Sequence, residues 1–235
     1  MSTTLEELKE KLEEIKACGF IKTHRANDTG IGKTLEDLLG IKENNIQLPD
    51  IGDIEIKAKR IDSDSMLTVG TKSPLPRGVN KKLYLEYGYP DKKDGYMALH
   101  STVYGSRENP QFFKIDLADS KLTLKNKQNI EVYWPITIFD LLKAKSNKIL
   151  LVLAKTSGET KTINEEFHYI EAYLLSGLNM DKFRSAVKDG KLKIDIRIGS
   201  YKSGKRKGKY HDHGTALRIN KRNYLNIFNE FKKII

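Results

Sequence analysis

Within Leu48-Pro49-Asp50-Ile51-Gly52-Asp53-Ile54-Glu55-Ile56-Lys57 two carboxylates and an ammonium stand in the pattern Pro-Asp, four residues, Glu-x-Lys. If residues 53–59 form a strand, Glu55 and Lys57 are two apart and point to one face, with Asp53 on the same side. Ile54, Ile56 and Ala58 then face the other way, into a core. Charges gathered on one face of a strand with an apolar back are costly unless they hold something. Asp50 and Glu55 offer hard oxygens suited to Mg²⁺, and Lys57 offers a cation that orients water or offsets developing charge. That combination serves metal-assisted hydrolysis of a phosphodiester. The same alternation of charge and isoleucine also describes any half-exposed strand, so the flanking segments decide between the two.

Upstream, Gly30-Ile31-Gly32-Lys33-Thr34-Leu35-Glu36-Asp37-Leu38-Leu39-Gly40 contains Gly-Lys-Thr. A phosphate-binding loop would need glycine five residues before Gly32, where Asn27 stands, so that reading is rejected. The segment reads instead as a short helix from near Gly32 to Gly40, with Leu35, Leu38 and Leu39 buried. Glu36 is either an ordinary first-turn acid or a third carboxylate aimed at the strand that follows.

A second chemically dense stretch lies far downstream. Lys193-Ile194-Asp195-Ile196-Arg197-Ile198-Gly199 alternates, so Asp195 and Arg197 share a face. A loop follows in which Lys202, Lys205, Arg206, Lys207 and Lys209 supply five cations in eight residues. His211-Asp212-His213-Gly214-Thr215-Ala216-Leu217-Arg218-Ile219 then returns as a strand. Arginine donates twice to guanine, aspartate accepts from cytosine N4, and histidine does either, so these side chains suit base reading in a major groove. A metal site at His-Asp-His is disfavoured, because in a strand His211 and His213 share a face that Asp212 does not. Thr71-Lys72-Ser73-Pro74 is a turn with hydroxyls and an ammonium suited to phosphate oxygens.

The remaining elements must position these groups. Residues 3–17 read as an amphipathic helix, capped by Thr3 or Thr4 and ended at Gly19. Residues 41–52 connect to the 53–59 strand, and Leu67–Thr71 reads as a neighbouring strand. A helix is expected over 78–87, and an antiparallel series over 98–105, 112–117 and 121–125. Trp134-Pro135 is expected to start a helix to about Lys145. Residues 149–154 read as a strand buried on both faces, and the second half of 164–173 as another strand. Further helices are expected over 180–189 and 222–233, the latter packing through Tyr224, Leu225, Phe228 and Phe231.

Composition agrees with a polyanionic partner. The 235 residues hold 42 Lys and Arg against 31 Asp and Glu, a formal net charge of +11. Cys18 is the one cysteine, which excludes an intramolecular disulfide and a cysteine-based zinc site and fits a reducing cytoplasm. The N-terminal stretch is a charged helix rather than a signal peptide, and no apolar run reaches transmembrane length.

Taken together, Gly30–Leu39, Pro49-Asp50…Glu55-Ile56-Lys57 and the Asp195–Ala216 segment resemble the MvaI/BcnI family of type II restriction endonucleases, relatives of the mismatch-repair nickase MutH. The third segment is nearest the MvaI side of that family. The resemblance implies an α/β, restriction-endonuclease-like fold: a mixed β-sheet flanked by helices, in two lobes around a DNA cleft. Residues 1–110 are expected to be mainly the catalytic lobe and 111–235 mainly the recognition lobe, both within one compact unit. It implies one or two Mg²⁺ ions and cytoplasmic, prokaryotic action as a monomer on double-stranded DNA, with no membrane and no obligatory protein partner. Carried over, Asp50 and Glu55 become metal ligands, Lys57 the water-positioning lysine and Glu36 the acid at the metal or its water shell. Asp195, Arg197, His211, Asp212, His213 and Arg218 become base readers, with the loop cations and Thr71-Lys72 on phosphates. The implied target is CC-x-GG, with CCWGG favoured. A MutH-like strand-nicking enzyme and a non-catalytic DNA-binding module remain as alternatives.

Overall fold

The computed structural model describes residues 4–41 and 48–235. The possible cap at Thr3 and residues 42–47 of the 41–52 connection lie outside the described residues. In chain order the elements are α1 (Leu5–Ala17), β1 (Ile21–Lys22), α2 (Gly30–Leu38), β2 (Glu55–Arg60), β3 (Leu67–Thr71), α3 (Val79–Tyr87), β4 (Tyr89–Pro90) and β5 (Met97–Val103). They continue as β6 (Lys114–Leu117), β7 (Lys121–Lys125), β8 (Tyr133–Pro135), α4 (Ile138–Ser146), β9 (Lys148–Ser157), β10 (Glu166–Leu178) and α5 (Met180–Lys188). The last are β11 (Leu192–Ser200), β12 (Tyr210–Asp212), β13 (Ala216–Ile219) and β14 (Phe228–Lys233). Single 3₁₀ turns occupy Gly204–Arg206 and Lys221–Asn226.

The chain forms two compact units, each assembled from separated segments: Met1–Ser65, Lys143–Leu178 and Phe228–Ile235 in the first, Met66–Leu142 and Asn179–Ile227 in the second. This interleaving differs from a single boundary near residue 110. β2 pairs in parallel with β9, and a parallel partner must be reached by a long crossover, here the whole of Met66–Leu142.

The first unit is built on a mixed sheet in the order β1-β10-β9-β2, with β14 also paired to β10. β9 is buried from Ile149 to Ala154, as a strand covered on both faces must be. Leu8 and Leu12 of α1, Leu35 of α2, Ile54 just before β2, Ile56 of β2, and Leu150 and Val152 of β9 share one core with Phe167 and Tyr169 of β10. α1 is started by a reciprocal capping box between Thr4 and Glu7. α2 is tied down by Tyr169, whose Oη donates to the Ile31 carbonyl at 2.7 Å. At the far end of β2, Arg60 makes a two-pronged bond to buried Glu165, at 2.6 and 2.7 Å.

In the second unit one sheet runs β3-β13-β11-β5-β4, with β12 also on β11, and a separate sheet runs β6-β7-β8. β5 pairs with β11 and β4, so it does not continue the β6-β7 series as its spacing suggested. Trp134-Pro135 belongs to β8, and the helix begins at Ile138, a few residues later than expected. The expected helix over 222–233 is a 3₁₀ turn followed by β14. Phe228 and Phe231 do pack, but as strand residues opposite Leu178 and Leu175 of β10. A free β10 edge would otherwise expose unpaired backbone groups, and that need outweighs a helical spacing.

Candidate active site and base-reading surface

The turn before β2 sets the geometry of the candidate catalytic residues. Ile51 and Ile54 form an isolated antiparallel bridge, with Gly52 at φ +56°, a region glycine enters freely. Asp53 therefore sits in the turn, exposed and 2.5 Å from Lys148, rather than on the strand face with Glu55. The turn swings Asp50 back over the start of β2, where its Oδ2 accepts from the Ile56 N–H at 2.7 Å. Glu55 is 1% exposed, and its Oε1 accepts from Lys57 Nζ. A second ammonium, Lys145 Nζ at the end of α4, stands 3.6 Å from the same oxygen. Glu55 Oε2 is buried and has no hydrogen-bond partner.

These contacts explain the titration of Glu55. Burial pushes its carboxyl above the ordinary carboxylate range. Lys57 and Lys145 pull it back, and Asp50 adds to the upward push. The three residues Asp50, Glu55 and Lys57 thus converge. Glu36 is half-buried on α2, which packs against β2. Lys145 escaped the sequence reading because its approach depends on the β2–β9 register, in which Glu55 stands opposite Ile149.

No group of three or more His, Cys, Asp or Glu able to hold a metal occurs among the described residues. The donor set fits Mg²⁺. Asp50 and Glu55 offer hard oxygens of the kind that Mg²⁺ takes, and Glu55 Oε2 is a buried oxygen with no protein donor to satisfy it.

The second unit gathers most of the downstream candidates around β11. A cavity of about 510 Å³ is lined by Asp195 and Arg197 of β11, His100 of β5, His213 and Arg218. Asp195 is buried, and its Oδ2 accepts from Arg218 Nη1 at 2.7 Å. Its Oδ1 and Arg218 Nε are buried without partners. Arg197 donates to the carbonyls of Gly214 and His213 at 3.2 and 3.3 Å. Burial, then the neighbouring Arg218, lower the Arg197 pKa from its usual high value. His213 is pushed down by burial, by His211 and His100, and by Arg197. The His211 ring stacks on Tyr201 at 4.1 Å and lies 4.1 Å from that of His213.

Asp212 is placed differently from the other candidates. Its two oxygens accept from the Gly214 N–H and from Asn80 Nδ2, both at 2.8 Å, so it braces its own turn. Lys205, Arg206, Lys207 and Lys209 are exposed on the loop between β11 and β12. Lys202, also exposed, is paired with Asp94 at 2.6 Å. Thr71 stands opposite Ala216, and the Lys72 N–H donates to the Thr215 carbonyl, which sets the exposed 71–72 turn beside β13. Asn80 carries no signal in the sequence, and His100, as a lone strand histidine, reads as structural before it reads as a DNA contact. Each lies more than ninety residues from the groups it joins, and only the β5–β11 pairing and the packing of α3 bring them in.

A family model for the MvaI/BcnI restriction endonuclease family matches residues 9–228. Among solved structures, a complex of restriction endonuclease MvaI with its cognate DNA substrate is 39% identical, covers 100% of both chains and superposes with a TM-score of 0.86. MvaI in the absence of DNA is 40% identical, covering 100% of this chain and 99% of that one, with a TM-score of 0.55. Among curated proteins none matches.

Proposed function

Since this chain belongs to the MvaI/BcnI family of restriction endonucleases, and is therefore a site-specific deoxyribonuclease, we propose that it is a Mg²⁺-dependent type II enzyme acting on duplex DNA at a CC-x-GG site, CCWGG in particular. The observation that carries the catalytic part is the placing of Asp50 and Lys57 beside buried Glu55, one of whose oxygens is held by Lys57 while no protein donor satisfies the other. The choice of CCWGG is supported by 39% identity, over the full length of both chains, to MvaI in complex with its cognate DNA.

In this reading Asp50 and Glu55 would hold the ion, and Glu36 on α2 would serve the ion or its waters. When bound, Mg²⁺ would polarise the phosphate and acidify water. Lys57 orients the attacking water and offsets charge that develops on the phosphate. Lys145 shares in neutralising Glu55, so the carboxylate pair is not left as an uncompensated buried charge. Catalysis then rests on position: the anchors of the Ile51–Ile54 turn hold the acids in place before substrate arrives.

Base reading falls to the cavity around β11. Asp195 Oδ1 is an unspent acceptor suited to cytosine N4, and Arg218, fixed by Asp195 Oδ2, presents donors suited to guanine. Arg197 and His213 add donors at the same wall, with His211 beside them. Thr71, Lys72 and the cations of the 202–209 loop contact phosphates and supply the sequence-independent share of binding. With one such active site per chain, a monomer cuts one strand, turns over on the nearly symmetric site, and cuts the other. A cytoplasmic location and the absence of an obligatory protein partner complete the reading.

The test is digestion of a sequenced plasmid with Mg²⁺ and with EDTA, followed by mapping of the ends. Mg²⁺-dependent linear product with ends at CCWGG supports the proposal. A stable nicked circle would favour the strand-nicking enzyme, and binding without cleavage under any divalent ion would favour the non-catalytic module.

A further inference from the structure

Two residues one turn apart on α3, Asn80 and Tyr84, grip the two ends of the segment that carries His211 and His213. Tyr84 Oη lies 3.0 Å from Ser200 Oγ, at the end of β11. Its ring meets that of Tyr210 edge-on at 5.4 Å, at the start of β12. Asn80 is 3% exposed, and its Nδ2 donates to Asp212 Oδ2 at 2.8 Å and lies 3.4 Å from Thr215 Oγ1. The contact continues beyond Asp212. Asp212 Oδ1 accepts from the Gly214 N–H, and Gly214 holds φ +80°, a conformation that side chains rarely adopt. The carbonyls of His213 and Gly214 accept from Arg197, and the His213 N–H donates back to the Arg197 carbonyl at 2.9 Å.

We propose that Asn80 is a positioning residue for sequence discrimination. Through Asp212 it fixes the 212–214 turn, and through that turn's carbonyls it fixes the Arg197 guanidinium at the wall of the reading cavity. The inference rests on the reading of Arg197 as a base contact. The chemistry of the position supports the role. An amide is the group that donates to a carboxylate without bringing a charge of its own into the site. Asn80 Oδ1 is itself buried without a partner, so the amide is not there for its acceptor. Two of the five guanidinium N–H groups are held by the turn, and a shift of the turn re-aims the rest.

The experiment compares cleavage rates, as kcat/KM, on the preferred site and on the same site with one outer base pair exchanged. Asn80→Ala is expected to lower that ratio about tenfold to a hundredfold, the scale expected when a reacting or reading group is displaced by about an ångström. The exchange Asn80→Asp with Asp212→Asn keeps the bond with donor and acceptor reversed, and leaves the new amide's carbonyl oxygen for the Gly214 N–H. It is expected to restore most of the ratio that Asn80→Asp alone loses. Arg197→Ala in the same assay separates the two levels. An unchanged ratio for Arg197→Ala would overturn the base-reading assignment itself. A reduced ratio for Arg197→Ala with a native ratio for Asn80→Ala would overturn the inference alone. If Asn80→Ala does not fold, the exchange decides: a folded exchange variant whose ratio stays as low as that of Asn80→Asp overturns the inference.

Discussion

Replacing Arg60 by methionine isolates what holds the far end of β2, the strand that carries Glu55 and Lys57. Arg60 spans Glu165 with bonds of 2.6 and 2.7 Å, and Glu165 is 1% exposed, with a further bond from the Lys161 N–H at 2.8 Å. Methionine keeps much of the stem but removes the guanidinium, which lies 5.6 Å from the centre of the Phe167 ring. Breaking one partner of a buried ion pair costs about 3–5 kcal/mol, because the other charge is left buried. At about 2–4 °C per kcal/mol for a chain of this size, the midpoint should fall by about 6–20 °C. The loss depends on pH. Burial opposes ionisation of Glu165, but the Arg60 bonds and the Lys161 amide outweigh it and hold the carboxyl below its ordinary value of 4.5. A group with a depressed native pKa contributes stability that is complete above the unfolded value and is lost as pH falls through the native one. The gap between the native protein and Arg60→Met should therefore be full at pH 7 and narrow below about pH 4.5. Thermal unfolding followed by circular dichroism across that range reads both features. Adding Glu165→Leu should recover most of the loss, since replacing the whole pair by apolar groups is close to neutral. A midpoint within about 2 °C of native, below the smallest shift expected from the lost pair, or a gap that widens in acid, would refute this account of the clamp.

Three other outcomes are expected. Lys205→Ala should weaken binding to all DNA sequences alike and reduce the slope of log affinity against log salt by about one unit, read by anisotropy titrations; a change confined to the preferred site would contradict its role on phosphates. Arg218→Ala should lose about 1–3 kcal/mol of discrimination at one base pair, and should destabilise as well because Asp195 is left buried without its partner; cleavage of single-base variants, beside a melting curve, separates the two effects. Gly214→Ala should lower the melting midpoint by a few degrees, from about 1–2 kcal/mol of strain at a left-handed residue; an unchanged midpoint would contradict the tightness assigned to the turn.

What could be read from the sequence was what is local. Pro49-Asp50…Glu55-Ile56-Lys57 is a short run, and alternation alone puts Ile54 and Ile56 into the core and Glu55 and Lys57 together. The α2 and β11 segments were legible for the same reason, each carrying its periodicity within one element. The parts missed depend on distant pairings. Lys145 reaches Glu55 only because β9 aligns in parallel with β2. Residues 228–233 have apolar spacing compatible with a helix, and the edge of β10 decides for strand. Asp53 reads as a strand residue until Gly52 turns the chain. The bonds by which Asp212 braces its own turn, from Asn80 and the Gly214 amide, likewise join residues that the sequence keeps apart or leaves unmarked.

Lys57→Met addresses the centre of the account, because it removes the ammonium on Glu55 while leaving the stem and the ligand oxygens in place. Cleavage of CCWGG-containing duplex in Mg²⁺, and affinity for the same duplex in Ca²⁺, are measured on the one variant. The account predicts a fall in cleavage of at least about a hundredfold, as for loss of a positioned catalytic group, with affinity within a few fold of native. Cleavage at the native rate would contradict the assignment of this site as the nuclease centre.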